Sequence, residues 1–413
     1  MHVLIIAQYF PPDMGGGATR AYNVAKGLKL NGANVTVIAA FPHYPYGKIP
    51  LKYRWKPFVI EYVHGIRVIR TFILPLESKG LVNRLILFVT FMFTSLFALP
   101  IIGKVDIIWA ANPNILSFFP AMIYSIMTRC LITLNADDLW PEDLQNFKLA
   151  EKDSLFFRIG EQLARIAYHK SRIITPISPG YKPIIMKKYQ VSSNKIRIIP
   201  AGVDINTFRP LKKCTNKKKF IVLYSGAFSV AYDFDQILKA AKLLEKYEEI
   251  KLVLQGGGEL LNYIKRKVKL LDLKNVQIID KVLPRKNVAK LLNKADVLLL
   301  PLRDFGKPYL GISSKLYEYQ AVGKPIICCA EGLPAEYIDK TKSGLVVKPG
   351  DYESLAKAIL YLKENKDIAK KLGISGRQYV MNNLIICKIG LKLMAIFKQL
   401  LYDSKNPSIV KFT

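Results

Sequence analysis

The side chains best suited to chemistry lie between residues 301 and 327, where the sequence predicts a strand end, a long loop and one short helix. Ser313 and Ser314 offer oxygens that can cap the start of this helix. Unpaired backbone N–H groups at a helix start that follows a glycine-containing loop suit a diphosphate. Lys315 adds a cation in the first turn, and Glu318, one turn later, can accept hydrogen bonds from a ribose diol. The combination predicts a site for a sugar nucleotide.

The string from Ser314 to Pro325, SKLYEYQAVGKP, resembles the donor-site signature of glycosyltransferase family 4, the retaining transferases of GT-B fold. The resemblance implies that Glu318 holds the donor ribose and that the amides just before it hold the diphosphate. Many members carry a second glutamate where this chain has Leu310, and the departure leaves open which residue holds the transferred sugar. The chain matches instead a branch with a Ser-Lys-x-x-Glu-Tyr variant and an Asp-Leu-Trp-Pro-Glu string. A loop and helix without a ligand is the alternative. The donor-binding residues predicted in this segment are Gly311, Ile312, Ser313, Ser314, Lys315 and Glu318.

Further matches follow in the family's order along nearly the whole chain. The string from Ile198 to Asp204, IIPAGVD, is similar to the family's domain junction. The string from Gln255 to Glu259, QGGGE, resembles a glycine loop beside the donor base, which adds Gly256 to the predicted donor site. The resemblance implies an α/β fold of GT-B type, with two Rossmann-like domains facing across a cleft.

Strand-like apolar runs alternate with predicted helices, which is typical of α/β units with parallel sheets. At 413 residues the chain is long enough for two domains. We expect an N-terminal acceptor domain over 1–205, a nucleotide-sugar donor domain over 206–385, and a C-terminal helix and tail over 386–413 that packs on the N-terminal domain. The predicted strands are Val3–Ala7, Val35–Ala39, Asp106–Ala110, Leu131–Leu134, Ile173–Ile177, Ile196–Ile199, Phe220–Ser225, Lys251–Gln255, Val276–Ile279, Val297–Leu300 and Pro325–Cys329, and the predicted helices include Arg20–Leu30, Tyr352–Lys363 and Asp367–Gln399.

Three consecutive glycines, Gly15, Gly16 and Gly17, precede the first predicted helix. They lie well past the end of the first strand and do not form the Gly-x-Gly-x-x-Gly pattern, so a dinucleotide fingerprint is weak here. Glycines at this position allow a ligand to approach the backbone closely. The family resemblance implies that the loop lies against the donor phosphates and the acceptor, with Arg20 as a weaker acceptor-side candidate. A simple flexible loop is the alternative.

Two other polar strings follow predicted strands, at the sheet edge where α/β proteins bind ligands. Asp138 and Glu142 lie in the string NADDLWPE, and the resemblance implies that Asp138 is the first candidate for a catalytic acceptor-side residue and Glu142 the second. Helix capping by Asp137 or Asp138 is the structural alternative. His43 lies in the string FPHYPYG, which resembles a loop near the acceptor, but a lone loop histidine is more often incidental, so it stays outside the catalytic set.

Many relatives place an arginine and a lysine after the first strand of the second domain to bind donor phosphates. Here that stretch contains Gly226 but neither cation, so Lys315 is the first predicted substitute and Arg303 the second. With Glu318 and Asp138, Lys315 forms the predicted catalytic set. No cofactor and no obligatory metal are expected, since a helix dipole and cations can stabilise a departing diphosphate.

Net charge and cysteine content limit the binding partners and the cellular compartment that we expect. The net charge of +31 favours phosphorylated substrates or an anionic membrane face. The sequence contains no nucleic-acid-binding pattern, so nucleic acid is not an expected partner. Five scattered cysteines indicate neither a disulfide framework nor a zinc site, and the first residues predict a strand rather than a signal peptide. We expect the protein in the cytoplasm.

The segment Leu85–Ile102 contains no charged residue and approaches the length that spans a bilayer. Thr90, Thr94, Ser95 and Pro100 weaken it as a span. We expect a helix that lies in or near an anionic membrane surface, with a buried core helix and a true span as alternatives.

The resemblance and the residues together predict a retaining glycosyltransferase at the inner face of the cell membrane. The expected donor is a nucleoside-diphosphate sugar, UDP rather than GDP, and the expected acceptor is a hydroxyl of a lipid-linked glycan. Two alternatives remain open: a GT-B nucleotide-sugar epimerase, and an inactive scaffold of a glycan-assembly complex.

Overall fold

A computed structural model describes residues 1–44, 46–77, 80–112, 114–142, 154–211 and 219–406. The chain forms two compact units, the first made of Met1–Gly202 with Ile386–Thr413 and the second of Val203–Ile385. The second unit is therefore inserted between two parts of the first.

The first unit is built on a sheet of seven strands: β1 His2–Ile6, β2 Asn34–Ala40, β3 Phe58–Val63, β4 Ile66–Thr71, β5 Ile107–Asn112, β6 Leu131–Ala136 and β7 Ile173–Pro176. Their order is β3-β4-β2-β1-β5-β6-β7, and β3 runs antiparallel to β4 whereas the other described pairs are parallel. The chain reverses its direction of travel across the sheet between β1 and β5. The carboxyl ends of these two strands therefore form the place where a doubly wound sheet binds ligands.

The second unit contains a parallel sheet of six strands: β8 Phe220–Ala227, β9 Ile250–Gly257, β10 Val276–Asp280, β11 Val297–Pro301, β12 Ile326–Cys329 and β13 Gly344–Val347. The order β10-β9-β8-β11-β12-β13 is that of the Rossmann fold. The corresponding ligand position is at the carboxyl ends of β8 and β11.

Helices connect the strands of both units. In the first unit they are α1 Gly16–Leu30, α2 Gly80–Thr94, α3 Phe118–Thr128, α4 Leu155–Lys170 and α5 Tyr181–Tyr189. In the second they are α6 Phe234–Leu243, α7 Leu261–Leu270, α8 Arg285–Lys294, α9 Ser314–Ala321, α10 Leu333–Thr341, α11 Tyr352–Glu364 and α12 Lys366–Asn383, and α13 Ile386–Lys405 follows.

The central strands are buried on both faces, which explains why they are continuous apolar runs rather than alternating ones. In β1 the four residues Val3–Ile6 are fully buried. The last helix, α13, packs on α1 in the first unit, and the contact is close because both helices have a glycine there. A Cβ atom on Gly27 would lie 2.7 Å from the carbonyl oxygen of Ile386.

Four elements differ from the sequence prediction. Ile196–Ile199 is not a strand, since only Ile196 forms a single bridge, to Ile174. The stretch 367–399 is two helices, because the N–H of Val203 donates to the carbonyl of Leu384 and interrupts the helical ladder there. The hairpin of β3 and β4, and the short strand β13, were not predicted.

The segment Leu85–Ile102 forms most of α2 and the 3-10 helix Ser95–Ile101 that follows it. By length and composition the stretch Leu81–Ile101 could span a membrane, but the core helix of a soluble protein can have the same length and composition. One face, with Leu87 and Phe91, is fully buried in the first unit. The opposite face leaves Phe93 and Phe97 about 60% exposed, at 58% and 61%. The segment is therefore not a wholly buried core helix.

Candidate active site

The predicted donor residues of the second unit surround the carboxyl end of β8 and the start of α9. Ser313 is the N-cap of α9, and its hydroxyl accepts a hydrogen bond from the N–H of Lys315 at 3.4 Å. Ser314 is the first helical residue rather than a cap. Gly311 and Ile312 lie half-buried in the preceding loop. The first turn of the helix thus presents backbone N–H groups and the positive end of its dipole toward this loop.

Lys315 crosses over the end of β8. Its Nζ donates to the Tyr232 hydroxyl at 2.7 Å and lies 4.7 Å from the centre of that ring. The lysine fits there because residue 226 is a glycine: a Cβ on Gly226, whose φ is +156°, would lie 2.2 Å from Lys315 Cε. The structure therefore brings together Gly226 and Lys315, and it adds Tyr232, which sequence reasoning missed.

Gly256 has a structural reason to be glycine. It pairs with Gly226 across β8 and β9, and a Cβ on Gly256 would lie 1.8 Å from the Gly226 carbonyl oxygen. This close approach of the two strands shapes the backbone under Lys315. A direct contact of Gly256 with a donor stays a prediction.

Glu318 lies on the same helix as Lys315 and is 8% exposed. Its Oε1 forms an ion pair with Arg285 Nη2 at 2.8 Å. The Arg285 guanidinium lies 4.6 Å above the ring of Phe208. The sequence offered no signal for Arg285, because it is the first residue of α8, a separate element. The ion pair fixes one carboxylate oxygen and leaves Oε2 without a hydrogen bond to any described residue.

The string from Asp233 to Asp235, DFD, has the Asp-x-Asp spacing found in some metal sites, and sequence reasoning overlooked it. Both carboxylates have structural partners: Asp233 caps α6 by accepting from the N–H of Gln236, and Asp235 accepts from the Tyr263 hydroxyl. Among the described residues there is no group of three or more His, Cys, Asp or Glu side chains arranged to hold a metal ion.

In the first unit, the glycine loop leads directly into α1. Gly15 is the N-cap with φ +137°, and a Cβ there would lie 3.3 Å from the Tyr44 ring. A Cβ on Gly16 would meet nothing within 4 Å, so the start of the helix is open. Gly17 lines a small cavity beside β1.

Asp13 connects the glycine loop to the loop of His43. Its Oδ1 accepts hydrogen bonds from the N–H groups of His43 and Tyr44, both at 2.9 Å. Burial raises the pKa of Asp13 to about 7, against the lowering effect of these N–H groups and of Arg70. Sequence reasoning missed this residue, although an aspartate two positions before a glycine loop is a visible signal.

His43 is buried rather than displayed on a loop surface. Its Nδ1 bonds to the Phe41 carbonyl at 2.8 Å and its ring stacks on Tyr9 with centroids 5.4 Å apart. Burial lowers the pKa of His43 to about 4, so the ring is neutral at physiological pH. Because Nδ1 must then donate to the carbonyl, Nε2 carries the acceptor lone pair.

Arg20 does not reach out from the glycine loop. It is buried, donates to the Ile199 carbonyl at 2.7 Å and to Asn135 Oδ1 at 3.0 Å, and pairs with Asp137 at 3.2 Å. These contacts connect α1 to the chain after β7. The geometry gives Arg20 an internal structural role, and its assignment as an acceptor-side residue stays a prediction.

The two acidic candidates after β6 have different surroundings. Asp138 is exposed, and its carbonyl accepts from Asn112 Nδ2 at 3.0 Å. Glu142 is mostly buried, and its Oε1 accepts from the Tyr189 hydroxyl at 2.5 Å and pairs with Lys188 at 2.7 Å. Glu142 is therefore engaged in an ion-pair cluster with α5, whereas Asp138 remains accessible to solvent.

Two protein-family models match consecutive parts of this sequence. The model of Glycosyltransferase Family 4 matches residues 14–207, and that of Glycosyl transferases group 1 matches residues 208–379. The chain belongs to the glycosyltransferases. Mannosylfructose-phosphate synthase of Agrobacterium fabrum is 24% identical over 52% of this chain and 49% of its own length, so the match spans about half of that relative.

Two solved glycosyltransferase-fold structures resemble the whole chain. Sucrose-phosphate synthase from Thermosynechococcus elongatus has a TM-score of 0.77 at 18% identity, covering 97% of this chain and 99% of that one. The Anabaena protein HepE, solved with UDP and glucose, has a TM-score of 0.68 at 15% identity, covering 97% and 100%. At these identities the likeness shows the fold, and the fold of this glycosyltransferase is GT-B, with two Rossmann-like domains.

Proposed function

We propose that this glycosyltransferase moves a sugar, with retention of configuration, from a nucleoside-diphosphate sugar to an acceptor hydroxyl. The observation that carries the proposal is the position of Lys315 over Gly226, beside the start of α9 and at the carboxyl end of β8. A diphosphate placed there would meet one ammonium group and the N–H groups of the first helical turn, and Glu318 follows on the same helix.

Each group has a part in the reaction. The bond from the anomeric carbon to the diphosphate oxygen breaks, and negative charge develops on that oxygen. Lys315 and the helix start stabilise this charge. The acceptor oxygen forms its bond on the same face of the sugar, and its proton passes to the departing diphosphate. Glu318 Oε2 accepts from a ribose hydroxyl, and Asp138 contacts the acceptor.

Three features support UDP as the nucleotide and a lipid-linked glycan as the acceptor. HepE, which shares the fold, is solved with UDP and glucose. The net charge of +31 attracts an anionic membrane. The exposed apolar side chains of α2, of the 3-10 helix after it and of α3, namely Phe93, Phe97 and Ile126, would lie in the interface of the inner face of the cell membrane.

The test is direct binding and turnover with Glu318→Ala. We expect wild-type protein to bind UDP in calorimetry and to transfer label from a panel of radiolabelled sugar nucleotides to membrane lipids. Glu318→Ala should raise the donor KM at least tenfold or abolish turnover, because the ribose loses its acceptor. Glu364→Ala, at an exposed helical position of the same unit, is the control and should behave as wild type.

Other outcomes would favour the alternatives. Turnover of a sugar nucleotide without any acceptor would favour an epimerase. Tight binding without transfer would favour an inactive scaffold, for which Leu310 in place of a glutamate is the motivating feature. Unchanged UDP binding in Glu318→Ala would refute the donor-site assignment.

A further inference from the structure

A small cavity lies at the carboxyl ends of β1 and β5, the ligand position of the first sheet. It has room for about one water-sized group and opens beside the first turn of α1. Most of its surface is apolar. Its lining residues are Ala7, Gln8, Tyr9, Gly17, Ala111 and Asn114.

The orientation of the two amide side chains in this wall follows from one backbone group. The N–H of Leu116 can only donate, and it donates to Asn114 Oδ1 at 3.0 Å. Asn114 must therefore use Nδ2 toward Gln8, and it donates to Gln8 Oε1 at 2.8 Å. Gln8 is left with its Nε2 group as the free side of the amide.

Gln8 Nε2 is a buried donor without an acceptor among the described residues. The whole residue is only 2% exposed, so bulk water does not solvate it. Leaving such a donor unsatisfied destabilises the folded state, because its lost hydrogen bond to water is not replaced. A buried amide that is held in one orientation by Asn114 and forms part of a cavity wall is therefore prepared for an incoming acceptor atom.

The same network reaches the apolar helix. Asn114 Nδ2 also lies 3.4 Å from the carbonyl oxygen of Phe88, which belongs to α2. The opposite face of α2, with Phe93, continues into the 3-10 helix after it, with Phe97, as an exposed apolar surface. A lipid-linked sugar with one hydroxyl group in this cavity would therefore lie beside the helix that has an apolar surface for the lipid.

We propose that this cavity is an acceptor subsite, in which Gln8 Nε2 donates a hydrogen bond to one hydroxyl group of the acceptor sugar. The proposal rests on the proposed function, because it assumes a sugar acceptor. The size of the cavity fits one hydroxyl, and its wall contains no cation, which makes it unsuited to a phosphate. Gln8 is thus a specificity-determining residue for the acceptor.

The test uses octyl glycosides as lipid-linked sugar probes. Octyl β-D-glucoside, octyl β-D-galactoside, octyl α-D-mannoside and octyl N-acetyl-β-D-glucosaminide are titrated by NMR onto protein saturated with UDP. We expect Gln8→Met, which keeps the volume and removes the donor, to weaken the best probe about three- to tenfold, the range of one neutral hydrogen bond. Gln277→Met, at an exposed position of β10, is the matched control and should bind like wild type.

Deoxy analogues of the best probe identify the hydroxyl. The analogue that lacks the hydroxyl bound by Gln8 should bind wild type as weakly as the parent probe binds Gln8→Met. It should also bind wild type and Gln8→Met with equal affinity. Asn114→Asp is a second test of the orientation of Gln8. The new carboxylate would accept a hydrogen bond from Gln8 Nε2, and the Gln8 amide would then present Oε1 instead of Nε2 to the cavity. We expect the same weakening although Gln8 is still present.

The outcomes separate the two proposals. Equal binding of every probe to wild type and Gln8→Met, or no probe binding at all, overturns the subsite and leaves the cavity to an ordered water. Loss of UDP binding in Gln8→Met also overturns it, because the residue would then act on the donor or on folding. Failure of wild type to bind UDP would refute the donor site instead. The glycoside titrations would then be carried out without UDP and would still test the subsite.

Discussion

Lys315 occupies space that any side chain at residue 226 would fill, since a Cβ on Gly226 would lie 2.2 Å from Lys315 Cε. The two residues come from different parts of the chain, and together they place an ammonium group over the end of β8. The position of the lysine therefore depends on a glycine.

Gly226→Ala should therefore act through Lys315. We expect the alanine methyl group to displace the ammonium group and raise the donor KM about tenfold, with a smaller change in kcat. Steady-state kinetics over a range of donor concentrations measures this effect. Gly350→Ala is the control, because Gly350 also has a positive φ, +80°, but its Cβ would meet nothing within 4 Å. If the donor KM rises equally in both variants, backbone strain rather than displacement of Lys315 would be responsible for the rise.

The ion pair of Arg285 and Glu318 should contribute little to the free energy of unfolding and more to the affinity for the donor. Arg285 is 42% exposed as a side chain, so solvent weakens the attraction. A double-mutant cycle with Arg285→Met and Glu318→Gln should give a coupling of about 1 kcal/mol or less in the free energy of unfolding. UDP titrations of the same variants should show Arg285→Met weakened severalfold, because the carboxylate is no longer held in place. A UDP affinity equal to wild type would remove Arg285 from the site.

Asp13 should make the stability of the first unit depend on pH. Its folded pKa of about 7 lies above the ordinary value of 3.8, so between these values the folded state keeps a proton that the unfolded chain has lost. The free energy of unfolding therefore falls as pH rises through this interval. Asp13→Asn keeps the acceptor oxygen for His43 and Tyr44 and removes the charge.

We expect Asp13→Asn to match wild type near pH 4 and to exceed it by at least about 1 kcal/mol at pH 8. Chemical unfolding at several pH values measures the difference. His43 has the opposite effect, since its lowered pKa reduces the free energy of unfolding at pH values below its ordinary value of 6.5. This contribution is the same in both proteins, so it cancels in their difference. Parallel curves for the two proteins would contradict the raised pKa.

The exposed phenylalanines of the α2 region should control membrane binding. Phe93→Ser with Phe97→Ser removes apolar area that each ring would bury, about 1.5–3 kcal/mol per side chain. Flotation with vesicles that contain phosphatidylglycerol should show at least a tenfold lower bound fraction. Leu270→Ser, which alters a residue 78% exposed in the second unit, should leave flotation unchanged. A double variant that floats like wild type would exclude this face.

Local signals made the donor helix predictable, whereas its partners were not. The Ser313 cap and the stop at Gly323, which has φ +71°, follow from chemistry within a few residues. Tyr232 and Arg285 come from other elements, and only the folded sheet brings them to α9. The buried ion pair of Arg20 with Asp137 was not predictable for the same reason, since it depends on the folded position of the chain after β6.

One missed element did have a local signal. The hairpin of β3 and β4 turns at His64 and Gly65, and both have positive φ, at 50° and 74°. A two-residue turn of this kind ending in glycine is a recognised hairpin pattern. Strand β13 is only four residues long, Gly344–Val347, and its partner β12 decides its state more than its own composition does.

The inserted position of the second unit has a practical consequence. Its entry at Val203 and its exit at Ile385 are paired by a backbone bridge, so the ends of the insert are neighbours. A gene fragment encoding 203–385 would therefore begin and end at neighbouring positions of one unit with its own Rossmann sheet. The proposed binding of UDP could then be tested on that fragment alone, without the apolar α2 segment of the first unit.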